Sequence, residues 1–121
     1  MFYCVHLTIT EFYDDSQPGW VEAHLIDAWK RKWSFREKTV SLSSDPSLSA
    51  DSSYPCDGEL ECYLVGHYLD RDGRHVAIIR TTEECTDRTY LFEVEPSSLF
   101  NSETREIGCP RPETISPLGG L

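Results

Sequence analysis

One short stretch constrains the architecture more than any other. Residues 59–69 and 74–82 are two runs of alternating apolar and polar residues, separated by Asp70-Arg71-Asp72-Gly73. A glycine at the end of a four-residue turn supplies the positive φ that a tight reversal needs, so the segment reads as an antiparallel β-hairpin. In its first arm Leu60, Cys62, Leu64 and Gly66 share a face. In its second, Val76, Ile78 and Arg80 oppose Ala77, Ile79 and Thr81. The same two-residue period opens the chain, where Tyr3, Val5, Leu7 and Ile9 alternate with Cys4, His6, Thr8 and Thr10. Asp14 to Gly19 then reads as a turn, and Thr89–Val94 as a last strand after the acidic turn Glu83–Asp87.

Two readings compete for Trp20–Val40. Val21, Leu25, Ala28, Trp29 and Trp33 recur at helical spacing, while Val21-Glu22-Ala23-His24-Leu25 and Trp33–Lys38 alternate as strands. No Ser, Thr, Asp or Asn immediately precedes Trp20 to cap a helix, and no Gly or Asn closes one after Trp33. The balance favours a hairpin turning near Asp27–Lys32, with Trp20 and Trp33 as core residues.

The remaining segments are connections. Residues 41–58 are rich in Ser, Asp and Pro and form a long loop, of the kind that is often functional or mobile. Pro96–Phe100 reads as a short turn that plugs one end of the core. Residues 101–121 carry Pro110, Pro112, Pro117 and Gly119-Gly120 and read as a flexible C-terminal tail. The expected fold is mainly β, a small antiparallel barrel or highly curved sheet of five to six strands. It makes one domain over residues 1–100, ending in that short turn, followed by the tail.

Composition narrows the function classes. The 121 residues carry 21 acids against 11 Lys and Arg, a net charge of -10. The acids are not gathered in a tail: residues 1–60 hold 10 acids and 5 bases, residues 61–121 hold 11 and 6, so each part carries -5. Such a surface repels itself and draws basic partners, and it disfavours direct contact with nucleic acid phosphates. Three Trp, six Tyr and five Phe argue for a packed core despite the charge. Residues 1–10 lack a basic leader region, and no apolar run approaches the roughly 18 residues of a membrane helix. The expected location is the cytoplasm, where five cysteines (Cys4, Cys56, Cys62, Cys85, Cys109) are expected to be free thiols.

Chemistry-bearing motifs are scarce. There is no nucleophile elbow, phosphate loop or metal-binding helix motif, so no catalytic residue is assigned and the chain is not expected to be an enzyme. Asp70-Arg71-Asp72-Gly73 echoes the start of a calcium loop, but Thr81 stands where the twelfth-position Glu belongs. Cys56 and Cys62 are too far apart for a zinc knuckle, and Cys62 suits a core strand. No cofactor and no metal are expected. The candidate partner-binding residues are the turn acids Asp14, Asp15, Asp70, Asp72, Glu83, Glu84 and Asp87, together with Trp29. Beside Lys30-Arg31-Lys32, Trp29 would offer an aromatic anchor and positive charge at one tip.

Gly19-Trp20-Val21-Glu22-Ala23, Leu25, Asp27-Ala28, Arg31, Trp33, Phe35 and Glu37-Lys38 resemble a pattern found in small uncharacterised bacterial proteins. Tyr54-Pro55, Gly58, Cys62 and Asp70 through Gly73-Arg74 look like its continuation. Where that pattern turns through a Gly after Asp27-Ala28, this chain has Lys30. The resemblance implies strands over residues 20–40 and a bacterial, cytosolic protein, and implies no activity. In size, acidity and absence of catalytic motifs the chain also looks like immunity proteins of contact-dependent and polymorphic toxin systems. From these features the expected function is that of an acidic immunity protein occluding the basic active site of a toxin domain, with no nucleic acid, membrane or cofactor involved. The alternatives are a small-barrel adaptor that docks a housekeeping protein, or a metal-dependent enzyme.

Overall fold

A computed structural model describes residues 2–14, 19–42 and 53–110. All strand pairings are antiparallel. The strands are β1 (Phe2–Asp14), β2 (Trp20–Ile26), β3 (Lys32–Lys38), β4 (Cys56–Leu69), β5 (His75–Thr81), β6 (Leu91–Val94) and β7 (Leu99–Asn101), with a single-turn helix α1 (Thr39–Leu42) after β3. The order across the sheet is β3-β2-β1-β4-β5-β6, and β7 pairs with β1. The sheet curls into a half-barrel, mainly β as the alternation predicts.

Trp20–Lys38 is a hairpin, with Val21 opposite Glu37, Ala23 opposite Phe35 and Leu25 opposite Trp33. The helical spacing of its apolar residues is outweighed by burial on one strand face: Val21, Ala23 and Leu25 are at most 1% exposed. Helix formation would have scattered these three around an axis instead. The core runs along the concave side, through Val5, Leu7, Ile9, Phe35, Leu60, Cys62, Ile79, Phe92 and Val94. Burial pushes the Cys62 thiol up to about 12, as suits a small apolar core residue.

Curling brings the two edge strands together. The Ala28 amide donates to the Glu93 carbonyl and the Thr86 amide to the Ser34 carbonyl, both at 2.8 Å. Phe92 of β6 packs against Trp33 and Phe35 of β3, with ring centroids at 5.3 and 5.8 Å. Edges that would otherwise present unpaired backbone are thereby covered.

Three turns share one construction. In Asp27–Arg31, Asp70–Arg74 and Cys85–Thr89 the fourth residue has positive φ: 67° at Lys30, 80° at Gly73 and 64° at Arg88. In each, the amide of that fourth residue donates to the carbonyl of the first. Lys30 therefore takes the left-handed conformation that glycine adopts most readily.

Two details differ from the sequence pattern. A β-bulge between Leu64 and Gly66 leaves Val65 unpaired in the ladder, so Leu64 faces Ile79, Gly66 faces Ile78 and His67 faces Ala77. Gly66 thus leaves the face of Leu60 and Cys62, and His67 joins it. Residues 101–110, expected in the tail, fold back: Phe100 bridges to Ile107, and the amides of Asn101 and Gly108 donate to the carbonyls of Glu106 and Leu99. Most of the long Ser/Asp/Pro loop and residues 111–121 lie outside the described residues.

Candidate functional site

Several of the acids gather at one end of the half-barrel. Glu59 and Glu61 project from β4 on the side opposite the buried Leu60 and Cys62. Glu83 follows β5, where the Thr82 amide and hydroxyl both donate to the Glu61 carbonyl at 3.1 Å and hold the two segments together. With Cys4, Val40, Ser41 and Thr82, these three acids line an open groove of about 470 Å³. Glu37, near the end of β3, lies within the field of Glu83 and Glu84.

The electrostatics of the groove are unfavourable to itself. Burial raises the Glu37 pKa to about 7, and repulsion from Glu83 and Glu84 adds to it, against the weaker pull of Lys38. The Cys4 thiol is also pushed up, by burial first and then by Glu59 and Glu61, with Arg105 opposing. Arg105 is the cation engaged here, in a two-pronged pair with Glu59 at 3.1 and 3.2 Å. Val40, 75% exposed, adds an apolar residue at the groove.

The predicted residues separate into two groups. Asp14 ends β1 opposite Trp20, and Asp15 lies outside the described residues. Glu83 lines the groove, Glu84 follows it in the chain within the field of Glu37, and Asp87 sits in the turn that reaches β3 through Thr86 and Ser34. Asp70 and Asp72 lie at the far end of β4, on the order of 25–30 Å away along the strand. Asp70 is turned onto its own loop, accepting from the amides of Asp72 and Arg74 at 2.9 and 2.8 Å. Trp29 is half-exposed but engaged: its indole N–H donates to Glu93 at 2.7 Å, and the Arg74 guanidinium stacks over its ring at 4.6 Å. Arg74 also donates to the Ala28 carbonyl, so the Trp29 tip is pinned to the β4–β5 turn.

The spacing of the sequence did not single out Glu37, Glu59 or Glu61. A strand's outward acids are ordinary on their own, and only the register that sets Glu61 beside Cys4 and Thr82 gathers them. Equally unannounced is a set of possible metal donors at the other end of β4. His67, His75 and Cys109 are all half-buried, with ligand atoms within 4.8 Å of one another. His67 Nδ1 lies 3.0 Å from His75 Nε2, and Cys109 Sγ lies 3.8 Å from the same nitrogen.

No family model, curated protein or solved structure matches this chain.

Proposed function

We propose that this is a binding protein, whose acidic groove takes up a basic protein partner. The observation that carries the reading is Glu37, part-buried within the field of Glu83 and Glu84, whose pKa is raised to about 7 by burial first and by their repulsion second, despite the pull of Lys38. A partner's Lys or Arg placed there gains from the field of the groove and relieves the repulsion within it. Glu59 and Glu61 extend the same field, and Val40 offers an apolar contact at its edge. The partner class that best suits such a surface is a toxin domain whose basic active site binds phosphate. Covering that site makes this protein a bacterial, cytoplasmic immunity protein and requires no chemistry of its own.

The test is co-purification of the tagged protein with the product of the neighbouring gene, washed at low and high salt. The reading expects a complex that weakens as salt rises, and a neighbour that is lethal when expressed alone. Charge reversal at Glu83 and Glu84 should weaken the complex by at least about tenfold, chiefly through slower association. A harmless neighbour that forms no complex would sink the immunity reading and leave an adaptor role for the groove.

A further inference from the structure

We propose that His67, His75 and Cys109 form a zinc site with one coordination position open. A tetrahedral zinc ion with nitrogen ligands at about 2.0 Å and sulfur at about 2.3 Å sets its donors roughly 3.3 Å (N···N) and 3.5 Å (N···S) apart. The separations of 3.0 and 3.8 Å bracket those edges, and all three donors lie within 4.8 Å of one another. His67 Nδ1 and His75 Nε2 lie within hydrogen-bond distance of each other. A zinc ion between the two nitrogens would take the Cys109 sulfur as its third ligand, with the thiol proton and any proton held between the imidazoles released to solvent.

Two backbone irregularities bring these residues together. In an unbroken ladder His67 would lie on the face opposite Cys62 and Leu64. The bulge at Val65 turns it to the concave face, across from Ala77 and diagonal to His75. Cys109 arrives from the segment after β7, where Gly108 at φ +96° redirects the chain and its amide is anchored to the Leu99 carbonyl at 2.7 Å. Bulges are over-represented beside functional sites, and here one supplies a donor. Imidazole and thiolate donors suit zinc better than magnesium or calcium. An open groove lined by Tyr3, Asn101, Glu106 and Cys109 gives solvent access to the cysteine side of the site. With two histidines, one cysteine and no fourth protein ligand among the described residues, the arrangement follows the three-ligand pattern of zinc sites that keep an exchangeable position.

Titration of the reduced, metal-free full chain with Co²⁺ and then Zn²⁺ tests this. One equivalent of Co²⁺ should produce a thiolate-to-cobalt charge-transfer band with four-coordinate d–d absorption, displaced by one equivalent of Zn²⁺. C109S should lose the charge-transfer band, H67Q and H75Q should weaken Zn²⁺ binding by at least about 100-fold, and C4S should leave both unchanged. A measurement free of substitutions is alkylation of the intact protein, in which one equivalent of Zn²⁺ should slow modification of Cys109 at least about tenfold. No band in the folded protein, a band that survives C109S, or an unchanged alkylation rate would each overturn the proposal.

Discussion

At the scale of single residues, Asp27 shows how much one side chain can organise. Its Oδ1 accepts from the amides of Trp29 and Arg31 at 2.8 and 2.9 Å, and its Oδ2 from the Trp33 indole at 3.0 Å. Asp70 makes the two corresponding backbone bonds in its own turn but has no indole partner. D27A should therefore cost about 2–4 kcal/mol and D70A about 1–2 kcal/mol, compared by urea denaturation; equal losses would deny the indole bond its role. Burial works against the Asp27 carboxylate, yet the bonds from Trp33, Arg31 and Trp29 outweigh it and hold its pKa below the ordinary value. Between the two values the unfolded chain binds more protons, so stability rises with pH there. The Asp27 contribution is present above the ordinary carboxylate pKa and lost as pH falls through the folded one. The gap between wild type and D27A should accordingly narrow in acid.

At the scale of elements, the groove and α1 each carry a prediction. Glu37 titrates near pH 7 in the folded protein against 4.5 ordinarily, so the folded state binds the extra proton between these values. Stability then falls as pH rises from about 4.5 through 7. E37Q should raise the melting temperature by on the order of a degree or two at pH 8, a small figure because the groove is open to solvent, and should make no difference below pH 4.5. A gain that persists in acid would show that the ionised carboxylate is not its cause. Gly58 lies where α1 crosses the start of β4: a Cβ there would come within 2.8 Å of Ile9 Cγ1 and 2.9 Å of the Leu42 carbonyl. Because one of these contacts is backbone, G58A should cost about 1–3 kcal/mol in a denaturant titration; an unaffected midpoint would mean that α1 moves freely off the strand.

At the scale of the whole molecule, the net charge of -10 sets a balance between folding and binding. Salt screens repulsion within the fold and attraction to a basic partner alike. Raising NaCl from about 20 to 300 mM should lift the melting temperature of the isolated protein by about 2–5 °C, while weakening its complex. A melting temperature that falls with salt would show that internal ion pairs, such as Arg36 with Glu22 at 3.1 Å, outweigh the repulsion. The length of β4 separates Trp29 and Asp70 from the groove at Glu59, Glu61 and Glu83, so acids that are equivalent in composition fall into different environments.

The sequence by itself determined the β class and the strands that carry the core, because a period of two apolar residues has only one economical burial. It determined the β4–β5 turn through Gly73 but only favoured the Trp20–Lys38 hairpin, which burial of Val21, Ala23 and Leu25 on one strand face decided. Only the tertiary structure decided which side chains meet. The Val65 bulge reverses the parity on which any reading of faces depends, and so hides His67 beside His75. Cys109 reaches them across 34 residues from His75, and Glu37 meets Glu83 through the closing of the sheet on itself. Local periodicity records which face a residue shares with its neighbours in the chain. Contacts between distant segments depend on register and curl, which are settled by the packing of all the strands together.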